Sequence, residues 1–326
     1  IALHTVNAAV QLLFVENDAE TFFFYAKLMM IVPALILGLF IFKWSKELFG
    51  VSAGIAALFL YTLDPNILAH STQVHTDVPF TAIFFIGTYF LWRSLNRLNI
   101  ANLTFAALCF GLAVITKWAY TVMFLTWLIL ALVRILSPSP LIVTLSGSAE
   151  IGSRWKKAGV LFGLLASMLI IAYGFVWSAY GFRYFAIPGG AMRLPMDQQL
   201  PLFGFARSLI EFVTRTHFFP EAWTYGQLDS FRQLGRHTHL PGQNRIGAGS
   251  WLYFPIAFVV KTPLPTLLII VAGLGFFIYE RNKRPTGALL LVPVIVYFGL
   301  AVWSGMNIGL RHVLPIYPFL FVLAGG

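Results

Sequence analysis

Long apolar runs separated by short polar breaks dominate this sequence, and that alternation leaves few folds open to it. A run of about 18 or more uncharged apolar residues can cross a hydrocarbon core as a helix, where the backbone must satisfy its own polar groups. Such runs extend from Lys27 to Trp44, Val51 to about Ala69, Val78 to Trp92, Asn102 to Leu136, Ala158 to Trp177, Phe254 to Tyr279, Thr286 to Trp303, and from Val313 onward. The stretch from Asn102 to Leu136 accommodates two spans turning at Lys117. The expectation is an all-α polytopic membrane protein with about nine transmembrane helices. Only 10% of residues are charged, against roughly 25% in soluble domains, so a soluble fold is excluded.

Charge sets the orientation. Lys43, Lys46, Arg93, Arg97, Arg134, Arg154, Lys156, Lys157, Arg281, Lys283 and Arg284 all fall in alternate short breaks, which the positive-inside rule places in the cytoplasm. Although the net charge is +10, these residues form no basic stripe with interleaved exposed aromatics, so nucleic acid is excluded as a partner. The breaks at His70–Asp77, Lys117 and Arg311, and the long polar stretch Ser178 to Ser250, then share the extracytoplasmic side. Three regions of one integral-membrane unit follow: helices over 1–177, an extracytoplasmic loop over 178–250, and helices over 251–326. The sequon Asn102-Leu103-Thr104 is expected to face the cytoplasm unmodified.

Several simpler signals bound the chemistry. Cys109 is the only cysteine, which excludes an intramolecular disulfide and any CxxC or Cys/His metal spacing. No fixed-period repeat and no inverted pair of Gly-broken spans is visible. GxxxG spacings at Gly50/Gly54, Gly159/Gly163 and Gly305/Gly309 are expected to serve helix packing. Residues Ile1 to Ala26, with Glu16, Asp18 and Glu20 before FFFY, suit an interfacial segment. A chain that begins at Ile1 and stops inside an apolar run is expected to be a piece lacking both ends.

The candidate chemistry centres on HSTQVHTDVPF, residues His70 to Phe80. Asp77 stands just before Val78-Pro79, at the first turn of a span, where a carboxylate can cap the helix or act as a base at the membrane mouth. Thr76 could cap equally well. His75 and His70 are polar neighbours. Lys261 lies about two turns inside a span, and both snorkelling to headgroups and anion binding account for it. Pro263 and Pro265 should bend that helix and free carbonyls. Arg311 and His312 begin the last span, where Arg suits either a phosphate or a headgroup. In the long loop, Leu202, Phe205, Leu209 and Phe212 share one helical face, with Arg207, Glu211 and Arg215 opposite at i,i+4 spacing. That pattern predicts an amphipathic helix on the membrane surface.

The segments HTDVPFTAIFFIGTYFLWR, GLAVITKWAY, GSWLYFPIAFVVKTPLPTLL and NIGLRHVLPIYPFLFVLAG, in that order, resemble integral-membrane C-type glycosyltransferases. The chain is similar to the group of protein O-mannosyltransferases and lipid A aminoarabinose transferases. The resemblance implies a dolichyl- or undecaprenyl-phosphate-linked sugar as donor, and a protein, lipid or glycan acceptor on the extracytoplasmic face, in a bacterial inner membrane. By analogy Asp77 is an acidic residue of the site, and Lys117, Lys261 and Arg311 are candidates to hold the lipid phosphate, with His75 and His312 beside them. The expected acidic motif of the first outer loop, just after a first span, is not evident. No cofactor is expected, and divalent metal use is left undetermined. A transporter or flippase of a lipid or solute, using the same charges as a relay, is the rival from another class.

Overall fold

The computed structural model describes residues 18–145, 147–187, 190, 194, 196, 204–232, 238–240, 243–245, 250–280 and 284–326. The first helix, α1 (Ala19–Phe49), starts eight residues before the predicted span and absorbs the FFFY segment expected to be interfacial. Its start is set by Asp18, whose carboxylate accepts from Glu20 N at 3.0 Å and from the Thr21 hydroxyl at 2.6 Å. Asp18 is thus an N-cap. Glu16 lies outside the described residues.

Two predicted spans are broken. The run Val51–Ala69 divides into α2 (Val51–Leu63) and α3 (Pro65–Ser71), bent by 63°. Pro65 has no N–H to continue α2, and Asp64 caps the new helix through bonds from Asn66 N and Ile67 N at 2.9 and 3.0 Å. The run Phe254–Tyr279 divides into α10 (Tyr253–Lys261) and α11 (Leu264–Tyr279), bent by 111° at the expected prolines. The carbonyl freed there, that of Lys261, accepts from Asn66 Nδ2 at 3.0 Å, so the two breaks meet.

Between these pairs run α4 (Asp77–Asn96), α5 (Ile100–Thr116), α6 (Tyr120–Leu136) and α7 (Arg154–Ala179). The polar stretch carries α8 (Phe205–Arg215) and α9 (Glu221–Arg232), and the chain ends with α12 (Arg284–Ser304), a 3₁₀ stretch Leu310–Ile316 and α13 (Tyr317–Gly325). The small sheets, β1 (Arg97–Leu98), β2 (Leu141–Val143) and β3 (Ala149–Ile151), then β4 (Thr238–Leu240) with β5 (Gln243–Arg245), sit outside the apolar runs. Among the described residues four helices are long and apolar enough to cross a membrane, or up to six spans if each bent pair is one. The count of nine is not reached on length: α5 and α6 have 17 residues each. At 1.5 Å per residue they reach about 25 Å, short of a core of about 30 Å.

The core is built around α4. In its most apolar window 78% of residues are buried, against 22% to 33% in the other membrane-length helices, so α4 is the helix the others surround. Its Phe84, Phe85 and Tyr89 pack with Trp44 of α1 and Phe319 of α13 at centroid separations of 5.0 to 5.6 Å. Gly87 lets α5 and α6 close on the same helix. A Cβ there would come within 2.8 Å of Met123 Cε and 2.9 Å of Cys109 Cβ. The GxxxG pairs behave differently from expectation. Only Gly54 sits in a tight contact, against Phe42, whereas Gly159 and Gly163 face open space and Gly305 and Gly309 are turns with φ of +61° and +107°.

At the far end of α4 two cations are absorbed by backbone. Arg134 donates to the carbonyls of Leu95, Ser139 and Pro140 at 2.7 to 2.8 Å, and the buried Lys157 to those of Ser137 and Ser139 at 2.7 Å. Both complete orphan acceptors at helix ends. In the loop, α8 forms with Arg207 and Arg215 at 3.0 and 3.9 Å from Glu211, and Leu209 and Phe212 are left exposed. The helix α9 was not anticipated. Its buried Glu221 ties the preceding segment by accepting from Ala186 N and Leu194 N, each at 3.1 Å.

Candidate functional site

The start of α4 is organised by a side chain other than the two expected to cap it. Asp77 is the first helical residue, Thr76 makes no side-chain cap bond, and His75 Nδ1 accepts the Asp77 N–H at 3.2 Å. The other ring nitrogen, Nε2, faces His70 Nδ1 at 3.3 Å. Thr81 Oγ1 donates to the Asp77 carbonyl at 2.7 Å, completing the turn. The carboxylate is left to other groups.

Those groups come from three parts of the chain. Between α5 and α6, Lys117 is extended, and its Nζ donates to Asp77 Oδ1 at 2.5 Å while lying 5.9 Å from the Phe80 ring centre. On the other side, Oδ2 is 3.4 Å from His75 Nδ1 and 3.9 Å from Arg311 Nε. The side chains of Asp77 and Lys117 are only 10% and 16% exposed, whereas Arg311 is 46% exposed. Gly309, at φ +107°, turns the chain so that Arg311 enters from the 3₁₀ stretch. The cluster therefore has two fixed cations on one carboxylate. A surplus positive charge in a largely enclosed site suits an incoming anion.

A cavity of about 430 Å³ adjoins this cluster and is lined by Lys117, Tyr297 and His312 on its polar side, with Leu125, Leu300 and Trp303 among its apolar walls. His312 feels the charges of Lys117, Asp77 and Arg311, and its Nδ1 has no hydrogen-bond partner. Of the residues singled out from sequence, Asp77, His75, Lys117, Arg311 and His312 are brought together. Lys261 is not: it is exposed, ends α10 at the break, and makes no ion pair among the described residues. Tyr297 was missed, because one tyrosine in an apolar run carries no signal that separates a site residue from core. Among the described residues no three His, Cys, Asp or Glu groups converge as a metal-binding set.

The fold and site together define a multi-pass membrane protein with a carboxylate–cation centre at the end of its central helix. Residues 12–177, just over half of the chain, match the model of the dolichyl-phosphate-mannose-protein mannosyltransferase family, and the chain belongs to that family. Its class of activity is membrane glycosyl transfer of the mannosyltransferase type. The matched region contains His75, Asp77 and Lys117; Arg311 and His312 reach them through the fold. No curated protein and no solved structure matches the chain.

Proposed function

We propose that the protein moves a sugar from a polyprenyl-phosphate donor to a protein, lipid or glycan acceptor at the extracytoplasmic face of a bacterial inner membrane. The observation that carries this is the pairing of one enclosed carboxylate with two cations from distant segments, Lys117 and Arg311. Glycosyl transfer needs those parts. As the acceptor oxygen or nitrogen bonds to the anomeric carbon, its proton passes to Asp77. The bond from that carbon to the phosphate oxygen breaks, and its electron pair goes to the leaving phosphate. Before substrate arrives Lys117 occupies Oδ1; an arriving phosphate competes for Lys117 and Arg311 and leaves Asp77 free to accept a proton. His75 orients Asp77 by holding the first turn of α4, and His312 faces the same cavity.

Transfer of labelled sugar from a polyprenyl-phosphate donor by the full-length protein in liposomes tests this. Wild type is expected to transfer label, and Asp77→Asn to lose it. Retained transfer in Asp77→Asn would remove Asp77 from the mechanism.

One observation favours a second reading, movement of a lipid or solute. Two broken helices meet through Asn66 and the Lys261 carbonyl, an arrangement found at transporter binding sites. Family membership weighs for transfer, so reconstituted vesicles are expected to show no ion-coupled uptake; uptake without sugar transfer would reverse the ranking.

A further inference from the structure

The hydroxyl of Tyr297 is buried, has no hydrogen-bond partner among the described residues, and lies within range of the Asp77 charge. A protein rarely leaves a buried hydroxyl unmatched, because the group gives up its bonds to water and receives nothing in exchange. Tyr297 also lines the cavity that holds Lys117 and His312. The ring is held in place, with centroids 5.7 Å from Phe84, 6.5 Å from Phe80 and 6.4 Å from His312. Two buried polar groups on residues that line one cavity, the Tyr297 hydroxyl and His312 Nδ1, have no hydrogen-bond partner among the described residues, next to Lys117, which pairs with Asp77. A ligand oxygen is the missing partner.

The shape of the cavity says what kind of ligand. It lies between α6 and α12, and its wall residues Leu125 and Trp303 are 37% and 82% exposed. Its lining joins a cationic group, Lys117, to exposed apolar side chains. That combination fits an anionic head on a hydrocarbon chain better than a water-soluble sugar nucleotide.

We propose that Tyr297 is a substrate-contacting residue, its hydroxyl donating a hydrogen bond to a phosphate oxygen of a polyprenyl phosphate whose chain leaves between α6 and α12. This rests on the donor class proposed above. It adds a residue and a route that the sequence did not suggest.

The test is binding of undecaprenyl phosphate to the purified full-length protein, read by thermal shift across a concentration series, for wild type and Tyr297→Phe. Because the lost hydroxyl has no partner in the free protein, the unliganded Tm of Tyr297→Phe is expected to equal or exceed that of wild type. Its affinity for undecaprenyl phosphate is expected to fall about 10- to 100-fold, the range for a hydrogen bond to a charged group. Equal affinity in both proteins overturns the inference while leaving the donor class standing. A lower unliganded Tm with unchanged affinity also overturns it, by assigning the hydroxyl to the fold. A wild type that binds no polyprenyl phosphate overturns the donor class and the inference together.

Discussion

The two ends of α4 use cations in opposite ways. At the Asn96 end, Arg134 and Lys157 donate to backbone carbonyls at the helix end and in the loop that follows α6. At the Asp77 end, Lys117 and Arg311 converge on one carboxylate beside a cavity, with a tyrosine hydroxyl and a histidine nitrogen unmatched. Both ends carry basic residues that sequence alone reads by side of the membrane. What separates structure from chemistry is the acceptor each cation finds. A carbonyl is permanent, whereas a carboxylate can be exchanged for a phosphate.

That contrast can be broken by substitution. The largest effect is expected from Asp77→Asn, which removes the proposed proton acceptor and should lower label transfer by about 10²- to 10⁴-fold with the protein still folded. If transfer survives, the two ends do not differ in kind. Next, Lys117→Met takes the closest cation from the enclosed carboxylate, leaving it the more distant Arg311, and should cost about 1–3 kcal/mol in unfolding experiments. Adding Asp77→Asn to it should restore most of that loss, and a double variant as unstable as the single would show that the pair is not the source. At the other end, Arg134→Ala should destabilise by about 1–3 kcal/mol through its stranded carbonyls, with transfer per folded molecule unchanged. A selective loss of transfer there would erase the distinction. The smallest effect is expected from Lys261→Ala, which should leave transfer within about 3-fold of wild type. A deeper loss would return Lys261 to the site.

Much of this contrast was legible beforehand, and the reasons differ by residue. Asp77 stood out because a carboxylate at the head of an apolar run is costly, and Pro263 announced the break that frees the Lys261 carbonyl. The break at Pro65 was just as readable in principle, yet the surrounding run was apolar enough to pass as one span. Lys157 reads from sequence only as one more basic residue of a cytoplasmic break, beside Arg154 and Lys156; the fold shows that its side chain is buried. Asp77 and Arg311 are separated by more than two hundred residues, and no local period links them. Tyr297 was invisible for a simpler reason: its meaning lies in the absence of a partner, which a sequence does not record.

Gly87 has a consequence for the Asp77–Lys117 pair. The point where α4, α5 and α6 touch lies ten residues from Asp77, a lever arm of about 15 Å along the helix. Lys117 hangs from the joint between the other two helices at that contact. The gap between acid and base is therefore gauged from a fulcrum deep in the bundle. A tilt of about four degrees, as one extra methyl group could impose, displaces the acid by about 1 Å, enough to uncouple a site whose first contact is 2.5 Å long.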